Sequence, residues 1–297
     1  MTLLLPEYYK GVIGLAKSGQ SPIDLNDNII RRKRYPTLIL NGHWLNDGDA
    51  ILGNDGSVAT VILGGNRIPS TITGGPLFND VYEYFICNFR WGEENCNGSE
   101  HTINGTWLHF IHEINSFLFS FPYILRTSLF YIFFFFISIC HYRFSMEAQM
   151  VHWNRKYPSF DDCLNRKDGI CIMSFLFLVP FGRSENNPQL EKITENLKHV
   201  TDAGSEINIP ANALCWMRWA TRCERYYTYQ GSYNEGPCSI LGYPECVTWI
   251  IFPMMINISP SQVDAFRMLK DDNGHFIKNN CKQIQLLRGR RIFLGIQ

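Results

Sequence analysis

Short apolar runs rich in Val, Ile, Thr, Phe and Tyr, each closed by a cluster of turn residues, recur along this chain and limit what it can fold into. They run from Thr37 to Leu40, Ala59 to Leu63, Tyr82 to Arg90, Met146 to Trp153, Ile170 to Val179 and Val247 to Phe252. Runs of this length and residue type between turns build strands, so a mainly β (α+β) domain is expected. Two segments carry helical signals instead. Pro188 precedes Leu190, Ile193, Leu197 and Val200, which recur at spacings of three and four, and Ser259-Pro260 opens another stretch with a capping serine and a first-turn proline. With 297 residues, 45% hydrophobic and 18% charged, the chain is long enough to bury a full core.

One segment breaks the pattern. From Phe117 to Cys140 the chain is almost wholly apolar, with phenylalanine at every position from Phe133 to Phe136 and a single charge, Arg126. On length alone it could span a bilayer. A single crossing would put the strands before and after it on opposite sides, yet those strands must share one sheet, so the β pattern argues against a membrane span. Lys plus Arg and Asp plus Glu balance at 27 each, which leaves no net field to draw nucleic acid or an anionic membrane. The local exception, Arg31-Arg32-Lys33-Arg34, reads as a solvated loop between strands. The ten cysteines are scattered, with no C-x-x-C pair to suggest a metal or redox site. Met1 to Leu5, followed by Pro6, is too short and lacks the basic residues of a signal peptide. The protein is therefore expected in the cytoplasm or, if its start is missing, to be secreted, where the N-x-S/T sequons at Asn97, Asn104 and Asn257 would matter.

Specific motifs also follow one another along the chain: Gln20-Ser-Pro-Ile-Asp-Leu25, Gly74-Gly-Pro-Leu77, Trp91-Gly92, Gly98-Ser-Glu-His-Thr102, Met150-Val-His-Trp-Asn154, Asp168-Gly169, Tyr227-Thr-Tyr-Gln-Gly-Ser232, Glu245-Cys-Val-Thr-Trp249 and Ser261-Gln-Val-x-x-Phe-Arg267. In this order they resemble the α-carbonic anhydrase family, over residues 6–297. The resemblance implies that family's fold, a single domain with a central twisted, largely antiparallel sheet of about ten strands and short peripheral helices.

Active members of the family hold zinc with two histidines one residue apart on one strand and a third on a neighbouring strand. Residues i and i+2 of a strand share a face, so two ligands reach one metal, and the open tetrahedral position takes a water whose pKa falls to about 7. The positions that the resemblance assigns to these ligands are Asn88, Arg90 and Gln149. None is a usual zinc ligand, and Arg90 brings a permanent positive charge. Rescue by neighbours is poor, because Cys87 and Phe89 have the opposite strand parity and His152, three residues from Gln149, faces away.

The remaining family positions are mixed. Glu100 and Glu147 match glutamates around the zinc site, Asn234 stands at the gatekeeper threonine position, and the family's spacing back from Gly74-Gly75 puts the proton shuttle at Ser57. His43, in Asn41-Gly42-His43, is then expected as an exposed turn histidine. Val151, Ile172, Val247 and Trp249 match residues lining the carbon dioxide side of the cavity, and their plainer reading is core packing. Arg90 is expected to replace the metal's charge by hydrogen bonding to Glu147 or Glu100 and to the amide oxygens of Asn88 or Gln149, or else to turn outward to water. The resemblance thus implies that no catalytic set is intact and no cofactor is bound, leaving a non-catalytic relative that binds an unidentified protein or small ligand. The alternative is a zinc-dependent carbonate dehydratase, hydrating carbon dioxide through a rearranged or residual metal site.

Thr102 and Glu147 stand 45 positions apart, where the family needs only a tight turn. The excess, residues 107–143, coincides with the Phe-rich stretch, and both a translated intron ending in a polypyrimidine tract and a real apolar insertion fit it. A smaller excess lies at Ile240 to Pro244. Cys238 matches a cysteine that secreted members bridge to one near the N-terminal Gln-Ser-Pro motif; no cysteine precedes Cys87 here, so that bridge cannot form. Reverse-transcription sequencing across the region encoding Thr106 to Phe144 decides between intron and insertion: mature messages should lack most of the Phe-rich stretch, and abundant messages retaining it would make it a genuine insertion.

Overall fold

The computed structural model describes residues 19–106, 143–182, 184–233 and 244–297. The Phe117 to Cys140 segment, Asn234, Cys238 and all of the Ile240 to Pro244 excess but Pro244 lie outside them. Among the described residues the strands are β1 (Asp24–Leu25), β2 (Arg31–Arg34), β3 (Ile39–Asn41), β4 (Asp49–Asn54), β5 (Ala59–Gly64), β6 (Thr71–Thr73), β7 (Tyr82–Trp91), β8 (Thr102–Ile103), β9 (Met146–Asn154), β10 (Ile170–Leu178), β11 (Glu206–Ile209), β12 (Arg225–Gly231), β13 (Val247–Asn257) and β14 (Phe293–Ile296). Twelve of these form one sheet, whose main path of ten strands runs β11-β4-β5-β7-β9-β10-β13-β12-β14-β2, with β3 and β6 attached beside β7. Pairing in this sheet is antiparallel except at β10–β13 and β14–β2. The expected mainly β, largely antiparallel fold is therefore present, and among the described residues four short α-helices lie around it: α1 (Phe160–Cys163), α2 (Glu191–Thr194), α3 (Met217–Ala220) and α4 (Pro260–Arg267). Among the described residues no helix is long and apolar enough to cross a membrane.

Helix α4 forms where its sequence signals place it. The Ser259 side chain accepts from the Gln262 backbone N–H while the Gln262 side chain accepts from the Ser259 N–H, a reciprocal cap, and Pro260 occupies the first turn. Val263 and Phe266 are the buried face, and the Phe266 ring packs 5.2 Å from Phe89 and 5.6 Å from Trp91. Burying one such ring contributes about 2 kcal/mol. The basic run Arg31–Arg34 differs from its expectation. It is an exposed strand, not a loop, because its backbone pairs in register with Phe293–Ile296 of β14 while all of its side chains stay in water. Backbone pairing does not require an apolar side chain, so a charged run at a sheet edge is compatible with it.

The long central strands separate two cores. Cys87, Phe89, Trp91, Met146, Ala148, Met150, Met173, Phe175 and Phe252 face one side, with α4 against it; Val151, Ile172, Leu176, Val247, Trp249 and Ile251 face the other. A bulge at Phe85 reverses the parity of β7, so Tyr84 joins the first core although Asn88 and Arg90 face the second.

His43 corrects its expectation as an exposed residue. It is fully buried on the first face, with Nε2 2.8 Å from Nε2 of His152 and Tyr84 edge-on to both rings. The second ring nitrogen of His152 lies 3.0 Å from the Met150 carbonyl, which places a proton there and makes its Nε2 the acceptor of the His43 N–H. The pair ties the turn after β3 to β9. Burial lowers both pKa values, His43 with help from the neighbouring His152 and Arg67 charges and His152 to about 4. Because the unfolded histidines take up protons below about 6.5 and the folded pair does not, the pair's stabilisation is complete above that pH and is lost as pH falls toward 4. His43→Phe should therefore flatten the dependence of unfolding free energy on pH between 6.5 and 4 by up to about 1.4 kcal/mol per pH unit, one proton's worth. Denaturant melts across that range measure it, and an unchanged slope would contradict a neutral buried pair.

Candidate functional site

The second face carries a buried polar cluster at the β7–β9 junction. Strand register puts Asn88 opposite Gln149 and Arg90 opposite Glu147, and Ser174 of β10 opposite Gln149. All five are 5% exposed or less, so their polar groups must find partners within the protein. The loop from Gly98 to His101 supplies many of them. Gly98 makes that approach possible: its N–H donates to the Phe144 carbonyl at 2.9 Å, and a Cβ there would collide with the Ser145 carbonyl. The Ser99 hydroxyl then accepts from the Phe144 N–H and donates to the His101 carbonyl, which fixes the loop against the start of β9.

Glu147 is the best-satisfied group in the cluster. One carboxylate oxygen accepts the backbone N–H groups of Glu100 and His101 at 2.9 and 2.8 Å. The other accepts from His101 Nδ1 and Ser174 Oγ, each at 2.8 Å, and from Gln149 Nε2 at 2.9 Å. Burial alone would raise its pKa; the His101 ring and backbone N–H and the Gln149 amide outweigh that and hold it at about 2. With Nδ1 turned to the carboxylate, the other ring nitrogen of His101 lies 2.8 Å from the Tyr229 hydroxyl, itself 2.9 Å from Ser21 Oγ.

Arg90 turns inward. It is 3% exposed, and its Nε lies 3.5 Å from Glu100 Oε1, which also accepts the Lys282 N–H at 3.1 Å. Gln149 uses its amide NH₂ to bridge Glu100 and Glu147, at 2.9 Å to each. Its amide is thus a donor to carboxylates, and Glu147 is held by His101 and backbone dipoles, with Arg90 facing Glu100. His101, Tyr229, Ser174 and Ser21 received no role in the sequence analysis, although Gly98-Ser-Glu-His-Thr102, Tyr227-Thr-Tyr-Gln-Gly-Ser232 and Gln20-Ser-Pro carried three of them as motif letters.

The other assigned positions are spread. Val151, Ile172, Val247 and Trp249 pack together in the second core, each 2% exposed or less. Ser57 sits in the β4–β5 turn, where its hydroxyl and backbone N–H both donate to Asp55. Asn234 is outside the described residues. The donor set does not suit zinc. Asn88 and Gln149 offer amides, Gln149 already donates to two carboxylates, and the Arg90 guanidinium is a cation with no lone pair to give. Among the described residues no group of three His, Cys, Asp or Glu side chains could hold a metal ion.

A buried ion pair of this kind has a measurable signature, since removing one partner strands the other charge. Arg90→Met should destabilise the fold by about 3 to 5 kcal/mol, and adding Glu100→Gln to it should recover a large part of that loss. Urea melts of the two single variants and the double variant test this; a midpoint unmoved by Arg90→Met would contradict it.

The profile of the family described as eukaryotic-type carbonic anhydrase matches residues 10–117 and 137–296. Over 257 residues the chain is 28% identical to the carbonic anhydrase-related protein of Homo sapiens and equally to that of Rattus norvegicus, covering 84% of this chain and 71% of each relative. It is 26% identical to carbonic anhydrase 3 of Sus scrofa over 267 residues, 89% of this chain and 83% of that protein. With the profile matched on both sides of the Phe-rich stretch and over most of the chain, the chain belongs to the eukaryotic-type carbonic anhydrase family.

Proposed function

We propose that this chain is a non-catalytic member of its family, with Asn88, Arg90 and Gln149 standing where active members place their zinc-binding histidines, and that it serves as a binding domain. The observation that carries this reading is the buried Arg90–Glu100 pair, 3.5 Å apart with each side chain 3% exposed or less. A guanidinium at that depth supplies positive charge to a carboxylate without a metal, and a dication beside it would meet like-charge repulsion in a medium that screens poorly. The names of the human and rat relatives, carbonic anhydrase-related protein, support the same reading. The well-satisfied Glu147 network then acts as scaffolding, because a carboxylate held at about 2 is too weak a base to take a proton near neutral pH.

A stopped-flow pH-indicator assay tests the proposal. The purified protein, with zinc supplied, should hydrate carbon dioxide no faster than buffer. Arg90→His alone should not change that, since two amide side chains still cannot complete a tetrahedral site. Zinc-dependent hydration by the unmodified chain would overturn the reading and revive the carbonate dehydratase alternative.

A further inference from the structure

The far end of the sheet carries a second feature, independent of the Arg90–Glu100 cluster. Between β2, β12 and β14 lies a cleft of about 380 Å³ whose walls include Lys33, Tyr35, Phe78, Arg290, Arg291 and Phe293. Among the described residues no aspartate or glutamate lines it. Its size is that of a small-molecule site, and such sites combine apolar walls with a few convergent polar groups.

The positive charge here is preorganised. The Lys33 ammonium lies 4.6 Å from the Tyr35 ring centroid, 5.4 Å from Phe293 and 5.9 Å from Phe78. Ring faces attract and orient a cation without neutralising it. Arg290 directs its guanidinium at carbonyl oxygens, those of Gly19 and Gln20 among them at 2.8 and 2.6 Å, and its Cζ lies 5.5 Å from the Tyr229 ring centroid. Among the described residues neither Lys33, Arg290 nor Arg291 takes part in an ion pair. Arg290 is engaged by the Gly19 and Gln20 carbonyls and by the pull of the Glu245 carboxylate, so Lys33 and Arg291 are the cations left to favour an anion on this concave surface.

The aromatic wall is also held open to solvent. Phe78 is 55% exposed and adopts φ 53°, ψ −117°, a strained conformation for a residue with a side chain. It follows the Gly74-Gly-Pro-Leu77 turn, whose Gly74 accepts no substituent because a Cβ would meet the Thr37 carbonyl. The turn therefore presents the Phe78 ring at the mouth of the cleft, where a ligand ring could pack on it.

We infer that this cleft binds a small organic anion with an aromatic ring, its phosphate, sulfate or carboxylate set between Lys33 and Arg291 and its ring against Phe78 and Phe293. The inference does not depend on whether the chain holds zinc. Isothermal titration of the purified protein with phenyl phosphate tests it, beside inorganic phosphate and benzyl alcohol as probes of charge alone and ring alone. Phenyl phosphate should bind one to one and at least about tenfold more tightly than either, with an affinity that falls as salt rises. Lys33→Glu/Arg291→Glu and, separately, Phe78→Gly should each weaken it at least about tenfold while leaving the thermal midpoint in place; glycine also relieves the strained φ. Should the double variant melt early, Arg291→Gln at its exposed position gives the same reading. Equal binding of inorganic phosphate, no phenyl phosphate binding by folded protein, or folded variants that bind as the parent does would overturn the inference.

Discussion

A carboxylate with no exposed surface, Glu147, organises the second face of the sheet at the β7–β9 junction. Leaving it unsatisfied would cost several kcal/mol or force it to take up a proton, and five donors prevent that. Those donors come from three different parts of the chain: the 98–101 loop, β9 itself and β10. Satisfying one anion therefore fixes the loop, and the loop fixes Glu100 beside Gln149 and Arg90. Read outward from Glu147, the cluster has two carboxylates with different solutions. Glu147 is neutralised by N–H dipoles and the His101 ring, and Glu100 by the Arg90 guanidinium, the Lys282 N–H and a Gln149 amide shared with Glu147.

Strand register makes this arrangement unique. A slip of one residue on β7 would bring Cys87 and Phe89 to the carboxylates and push Asn88 and Arg90 into the apolar packing of the opposite face. The two faces are locked by unlike means, hydrogen-bonded charges on one and a neutral histidine pair within aromatic packing on the other. Both anchor in β9, through Glu147 and Gln149 on one side and His152 on the other, so the alternation of a single strand carries the two networks.

Much of the frame is legible in the sequence, for physical reasons. The strands Ala59–Gly64, Tyr82–Trp91, Met146–Asn154 and Ile170–Leu178 begin at the residues where their apolar runs begin and end within one of where those runs stop, because local side-chain pattern and burial agree there. Helix α4 is equally plain, since its cap and first-turn proline are local. The failures are non-local. Arg31–Arg34 has no apolar alternation to mark it, and its strand character comes from β14 at the other end of the chain. His43 looked solvated because its partner, His152, is 109 residues away. In the polar cluster, strand parity alone puts Asn88, Arg90 and Gln149 on one face. Which carboxylate Arg90 meets depends on where the 98–101 loop lies, and that loop is placed by backbone hydrogen bonds no spacing rule reveals.

Crystals grown with zinc in excess, with diffraction data collected above the zinc absorption edge, test most directly the claim that arginine stands in for the metal. The account predicts no anomalous peak among Asn88, Arg90 and Gln149, with the Arg90 guanidinium in density against Glu100. A tetrahedral zinc peak among those residues, with Arg90 displaced from Glu100, would contradict it.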